Sequence, residues 1–238
     1  MVAVIIPCYN EERRLNVSAF QFFVQENSGY HFYFVDDGST DKTAELLNNI
    51  SKTHPSLKAI FFQQNLGKGE AIRKSVQEIK DKYYDLLAFI DADLEIPLDQ
   101  LLRLEFEMRM NSNSKAAISY RSINLINTRN KIRNVGSRAF RVISKAILKS
   151  DYTIIDTQCG CKMFSSDLLK VFDSPFISEW LFDIELLLRI RKMGYLRKEN
   201  ISQVRLSNLN TVSEKKNYTL ISIGKLVYQT IKINRIYN

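Results

Sequence analysis

The chain has 238 residues, 45% hydrophobic and 25% charged, the composition of an ordinary globular protein and not of a disordered or fibrous one. That length suits one α/β domain with a full core, so a single domain over 1–238 is expected. A formal charge of +8 and a pI near 9.3 suit an anionic partner. No apolar run approaches the ~20 residues of a membrane span, and with Val2 to Ile6 already strand-like no leader is expected. The expectation is therefore a cytoplasmic protein, resting at most on a membrane surface. Cys8, Cys159 and Cys161 make no disulfide framework and point to a reducing compartment. With His31 and His54 far off in sequence, zinc is not expected.

In chain order, Val2 to Ile6 is an apolar run closed by Pro7, as for a central parallel strand, and Arg14 to Gln25 has helical spacing. His31 to Val35 reads as a second strand, Asp36 to Asp41 as a turn, and Thr43 to Ile50 as a helix. Gly38 permits the bend, and Ser39 or Thr40 is placed to cap that helix. Leu57 to Phe62 is a third strand. The loop Asn65-Leu-Gly-Lys-Gly69 leads to a helix over Glu70 to Lys80, with Lys68 placed to approach a phosphate, although no P-loop is present. Leu86 to Ile90 is a strand buried on both faces, followed on alternate positions by Asp91, Asp93 and Glu95. In extended chain these carboxylates share one side and converge on a hard cation such as Mg²⁺ or Mn²⁺. As plain turn formers they need no ligand. Pro97 opens a helix to about Met110, and Ala116 to Tyr120 is a fifth strand ending at Arg121.

Strands alternating with helices predict a doubly wound, mostly parallel sheet whose carboxyl edge gathers these polar motifs. The second half differs. Asn127 to Lys149 alternates cationic with apolar residues and suits a bilayer interface, an anionic substrate or simply solvent. Asp156-Thr-Gln-Cys-Gly160 precedes the apolar segment Cys161 to Phe164. Glu179, Asp183 and Glu185 open a helix running to about Met193, where acids favour the helix dipole. Leu196 to Leu206 reads as strand and Tyr218 to Tyr237 as an amphipathic helix.

Six motifs in order, Val4-Ile-Ile-Pro-Cys-Tyr-Asn-Glu-Glu12, Val35-Asp-Asp-Gly-Ser-Thr-Asp41, Asn65-Leu-Gly-Lys-Gly69, Asp91-Ala-Asp93, Asp156-Thr-Gln-Cys-Gly160 and Trp180-Leu-Phe-Asp-Ile-Glu185, together resemble the family 2 glycosyltransferases. The resemblance is to the dolichyl-phosphate and polyprenyl-phosphate glucosyl- and mannosyltransferases, and the Asp-Thr-Gln-Cys-Gly element leans to the glucosyl branch. It implies a GT-A fold, with 1–121 as the nucleotide-sugar-binding half and 122–238 as the acceptor-side half. It also implies a nucleotide diphosphate sugar donor, UDP-glucose favoured over GDP-mannose. Pro7, Tyr9, Glu11 and Asp37 would line base and ribose, Lys68 would lie near the nucleotide, and Asp91 with Asp93 would hold diphosphate and metal, joined by Glu95. Arg121 and Arg133 match basic positions used around phosphates. The implied reaction inverts the anomeric centre.

A polyprenyl-phosphate acceptor is already an anion, whereas a sugar hydroxyl needs a base, for which Asp183 is nominated and Glu185 second. Three readings follow: transfer to a lipid phosphate, transfer to a glycan or lipid-linked saccharide, and a non-catalytic nucleotide-sugar binder. Nucleic acid is not expected as a partner, for want of an aromatic, glycine-rich RNA-binding signature. Two departures from the family pattern fall on the acceptor side: Leu206 stands where a Trp is often found, and no glycine follows it in 204–213. Many relatives also carry transmembrane helices at one end, whereas none is expected here.

Overall fold

The structure is a computed structural model describing residues 1–121, 147–148, 152–179, 181–210 and 220–237, the side chains of 220–227 excepted. Most of the cationic segment, Arg133 and Trp180 lie outside these residues.

Strands β1 (Val2–Cys8), β2 (Tyr30–Asp37), β3 (Leu57–Phe62) and β4 (Leu86–Phe89) alternate with helices α1 (Val17–Glu26), α2 (Thr43–Ile50) and α3 (Lys68–Ile79). Then come α4 (Asp99–Met110), β5 (Ala116–Tyr120), β6 (Lys162–Ser165) with a 3₁₀ turn over Ser166–Phe172, α5 (Phe182–Lys192), β7 (Ile201–Arg205) and α6 (Leu220–Tyr237). One seven-stranded sheet results, in the order β3-β2-β1-β4-β6-β5-β7. It is parallel except at β6, which runs against both β4 and β5.

Alternation along each strand divides the core in two. Val4, Ile6, Phe32 and Phe34 pack with Phe20 of α1, Leu47 of α2 and Leu104 of α4, while Ala3, Ile5, Tyr33 and Val35 pack with Ile72 of α3 and Leu187 of α5. Burial on both faces is what near-continuous apolar strands require.

Local boundaries differ from expectation where a side chain decides them. Helix α1 starts at Val17 because Asn16 accepts from Ala19 N–H, leaving Arg14 to reach Glu11. Neither Ser39 nor Thr40 caps α2. Asp41 accepts from the Thr43 amide at 2.9 Å, while Ser39 and Thr40 are drawn to Asn10. Of the expected strand over 196–206, only Ile201–Arg205 pairs, since 197–200 turn on the Asn200 and Ile201 amides donating to Arg197 O.

The antiparallel insertion matters most for function. Phe89, the last residue of β4, faces Lys162, the first of β6, and Ile118 of β5 faces Lys162 from the other side. The loop entering β6 is thereby delivered to the carboxyl ends of β4 and β5.

Candidate active site

The carboxyl ends of β1 to β3 are stitched together through their loops. Asn10, in the left-handed region at φ 54°, donates its amide to Ser39 Oγ and accepts from Thr40 N–H at 2.9 Å, and Glu11 N–H donates to Thr43 Oγ1. The Glu11 carboxylate accepts from Arg14, Pro7 is half-buried, and the Tyr9 ring is 43% exposed. Asp37 is buried, with its two oxygens accepting from Leu66 N–H at 2.8 Å and Gly67 N–H at 2.9 Å. Burial raises its pKa and the two amides oppose that rise. Gly38 has φ 68°, and a Cβ there would stand 2.5 Å from the Gln64 carbonyl carbon, so only glycine lets the third loop close down. The grip of Asp37 on that loop aims Lys68, at the head of α3, along the sheet edge.

Lys68 Nζ donates to Asp91 Oδ1 just past the end of β4. Partial burial opposes the lysine's charge, but Asp91 first and then Asp183 outweigh it and raise its pKa. The other Asp91 oxygen meets the loop entering β6: a Cβ on Gly160 would lie 2.1 Å from Oδ2. Any side chain at 160 would displace the carboxylate.

Asp91, Asp93 and Glu95 do not run on as extended chain. Leu94 has φ 50°, and Asp93 Oδ1 accepts from Glu95 N–H at 3.1 Å, closing a turn. The expected alignment of three acids on one side is corrected accordingly, and among the described residues no three His, Cys, Asp or Glu side chains form a cation cluster. Two carboxylates from a turn, one of them 40% exposed, still fit Mg²⁺ or Mn²⁺, which take few protein oxygens and complete their shells with water and substrate phosphate.

On the second side, Arg121 follows β5 and meets Asp156 ahead of β6 in a bidentate pair, Nε to Oδ2 at 2.7 Å and Nη2 to Oδ1 at 3.2 Å. Burial works against the Asp156 charge, yet the guanidinium holds its carboxyl below the usual range. Arg121 is thus committed to Asp156, with part of its five-donor fork left over.

Asp183, the nominated base, is buried and accepts at Oδ1 from Lys162 Nζ. Glu185 is fully enclosed, accepting from Ile177 and Ser178 amides, Arg189 and Tyr237. It clasps α5 to its neighbours, so its runner-up role as a base gives way to a structural one. Glu179 lies with its Cγ 3.1 Å from where a Gly67 Cβ would be and not as a cap on α5, which begins at Phe182. Sequence reasoning passed over Lys162; the signal was a lone lysine inside the apolar run Cys161 to Phe164.

The seven-stranded, mostly parallel sheet flanked by helices has the GT-A architecture. The fold matches glucosyl-3-phosphoglycerate synthase from Mycobacterium tuberculosis, solved with Mn²⁺, UDP and glucosyl-3-phosphoglycerate, at a TM-score of 0.71 and 19% identity over 98% of this chain and 78% of that one. Residues 3–172 match the family described as Glycosyl transferase family 2, and the chain belongs to that family. Among curated proteins it is 32% identical over 223 residues to a dolichyl-phosphate beta-glucosyltransferase of Saccharomyces cerevisiae, spanning 84% of this chain and 66% of the yeast protein. A protein of the same name from Drosophila melanogaster is 31% identical over 207 residues, 78% of this chain and 61% of the relative. No helix among the described residues is long and apolar enough to cross a membrane.

Proposed function

We propose that this chain transfers glucose from UDP-glucose to a polyprenyl or dolichyl phosphate, with inversion. The observation that carries the reading is Asp91, set at the sheet's carboxyl edge between the Lys68 ammonium and the bare backbone of Gly160. The names of the curated relatives support the glucosyl donor and lipid acceptor, as does the Asp-Thr-Gln-Cys-Gly sequence.

Asp91 and Asp93 would hold Mg²⁺ or Mn²⁺, with Glu95 beside them. When bound, the ion offsets the charge that builds on the departing nucleoside diphosphate. Lys68 adds a cation on the same side, and Pro7, Tyr9, Glu11 and the loop fixed by Asp37 form the wall for base and ribose. An oxygen of the acceptor phosphate bonds to the anomeric carbon from the opposite face as that carbon's bond to the diphosphate oxygen breaks. The phosphate needs no strong base, which agrees with Asp183 being engaged by Lys162. Arg121 with its spare donors, and Arg133, are the cations assigned to the acceptor. With a lipid as acceptor, the reaction takes place at a membrane surface.

Purified protein is given radiolabelled UDP-glucose, Mn²⁺ and polyprenyl phosphate in detergent, with GDP-mannose as competing donor. A glucolipid labile to mild acid is expected. Label passing only to a saccharide acceptor overturns the lipid-phosphate reading, and UDP binding indifferent to Mn²⁺ without any transfer supports a binder.

A further inference from the structure

Lys162 is fully buried and has no part in the chemistry above. A buried ammonium persists only when it is paired and hydrogen-bonded, and this one donates to Asp183 Oδ1 and to Cys159 O at 2.8 Å. Its ammonium also stands 5.3 Å from the centroid of the Phe89 ring, while Lys68 stands 5.9 Å from the same centroid and 5.7 Å from that of Phe182. Lys162, paired with Asp183, and Lys68, paired with Asp91, therefore both stand beside Phe89, the first pair sealed from water and the second open to it.

Asp91, Asp183 and, more weakly, Asp93 all attract Lys68. Asp91 holds it by hydrogen bond, and Asp183 attracts it through space. Asp183 is more buried than Asp91, so without its own cation it would draw Lys68 inward, because an uncompensated carboxylate in low dielectric attracts the nearest ammonium more strongly than an exposed one does.

We infer that Lys162 is a positioning residue for donor binding: by neutralising Asp183 it leaves Lys68 at Asp91, where the donor's diphosphate is received. The inference rests on the donor reading above and adds to it a residue that never touches substrate.

The test measures binding of UDP with Mn²⁺ by calorimetry at 10 °C, after circular dichroism has shown that each variant is folded. Lys162→Gln keeps a hydrogen-bond donor but removes the charge, and is expected to weaken UDP–Mn²⁺ binding at least ten-fold. Adding the change that removes the competing carboxylate, as Lys162→Met with Asp183→Leu, is expected to bring affinity back to within three-fold of the wild type. Wild-type affinity in Lys162→Gln overturns the inference, as does equal weakness in the single and double variants, which would make Lys162 purely structural. Where Lys162→Gln does not fold, the double variant decides: near-native affinity supports the inference and a ten-fold loss overturns it.

UDP–Mn²⁺ failing to bind the wild type counts against the donor reading alone. The positioning role is then read in the unliganded protein from urea midpoints. Lys68→Met should destabilise the Lys162→Gln chain more than the wild type, since Lys68 has become the last cation near Asp183, and equal shifts overturn the role.

Discussion

Two ion pairs stand beside the Phe89 ring: Lys68 reaches Asp91, their side chains 33% and 40% exposed, and Lys162 reaches Asp183, 0% and 7% exposed. The groups are the same, but water reaches only the first pair. An open pair of this kind contributes about 0–1 kcal/mol to stability and can be parted by an arriving ligand. A sealed pair adds little net stability against apolar replacements, yet removing one partner costs roughly 3–5 kcal/mol because the other charge is stranded. The outer pair is placed to exchange partners and the inner pair to stay fixed.

The sharpest way to break this contrast is at the outer end. On the proposed function, Asp91→Asn and Asp93→Asn should each reduce glucosyl transfer by about 10³-fold or more, the scale expected if these groups stabilise leaving-group charge. Each should leave the melting temperature within roughly 2 °C of the wild type, Asp91 because its open pair contributes so little and Asp93 because an asparagine oxygen can still accept from Glu95 N–H. Full turnover in either variant would remove its carboxylate from the donor site. At the inner end the balance reverses: Lys162→Met should lower stability by about 3–5 kcal/mol, seen as a fall of roughly 10 °C in melting temperature. A shift under 2 °C would mean that Asp183 finds water or another partner.

How far these features could be read from the sequence followed the range of the interactions. Strands β1 to β4 were legible because their apolar runs and polar ends are local, and the end of β4 fell one residue short of Ile90. The insertion of β6 between β4 and β5 was not, since four residues, Lys162–Ser165, carry no periodicity and their antiparallel pairing depends on segments far off in sequence. The partners of Asp183 and Arg121 lay beyond reach for the same reason, being supplied by the first residue of β6 and by the stretch that enters it. Asp91 and Asp93 stood out by composition, both as metal ligands and as turn formers, while the left-handed conformation of Leu94 left no trace in residue type.

Between the two pairs lies Gly160, which sharpens the comparison by acting on geometry without touching charge. Gly160→Ala places a methyl where Asp91 Oδ2 now sits. Activity should fall about 10²-fold, the scale of a displacement near 1 Å at a reacting centre, with a stability loss of roughly 1–3 kcal/mol from overpacking. Steady-state kinetics that show a normal KM for the donor and a normal kcat would mean that the Asp91 side chain rotates away without consequence.

The smallest effect concerns a third pair, Arg121 with Asp156, whose side chains are 28% and 15% exposed, intermediate between the other two. Burial disfavours the Asp156 charge, but Arg121 more than compensates, so the folded pKa lies below the unfolded value of about 3.9. For a carboxyl depressed in this way the unfolded chain binds the proton first, and the stabilisation is complete above the unfolded pKa and fades as pH falls toward the folded one. Asp156→Asn should therefore lose stability relative to the wild type at pH 7, and the gap between the two should narrow below about pH 4. Urea unfolding at a series of pH values checks this. A gap that stays constant down to pH 2 would assign the cost of the substitution to lost hydrogen bonds at the Arg121 and Gln158 amides and not to the ion pair.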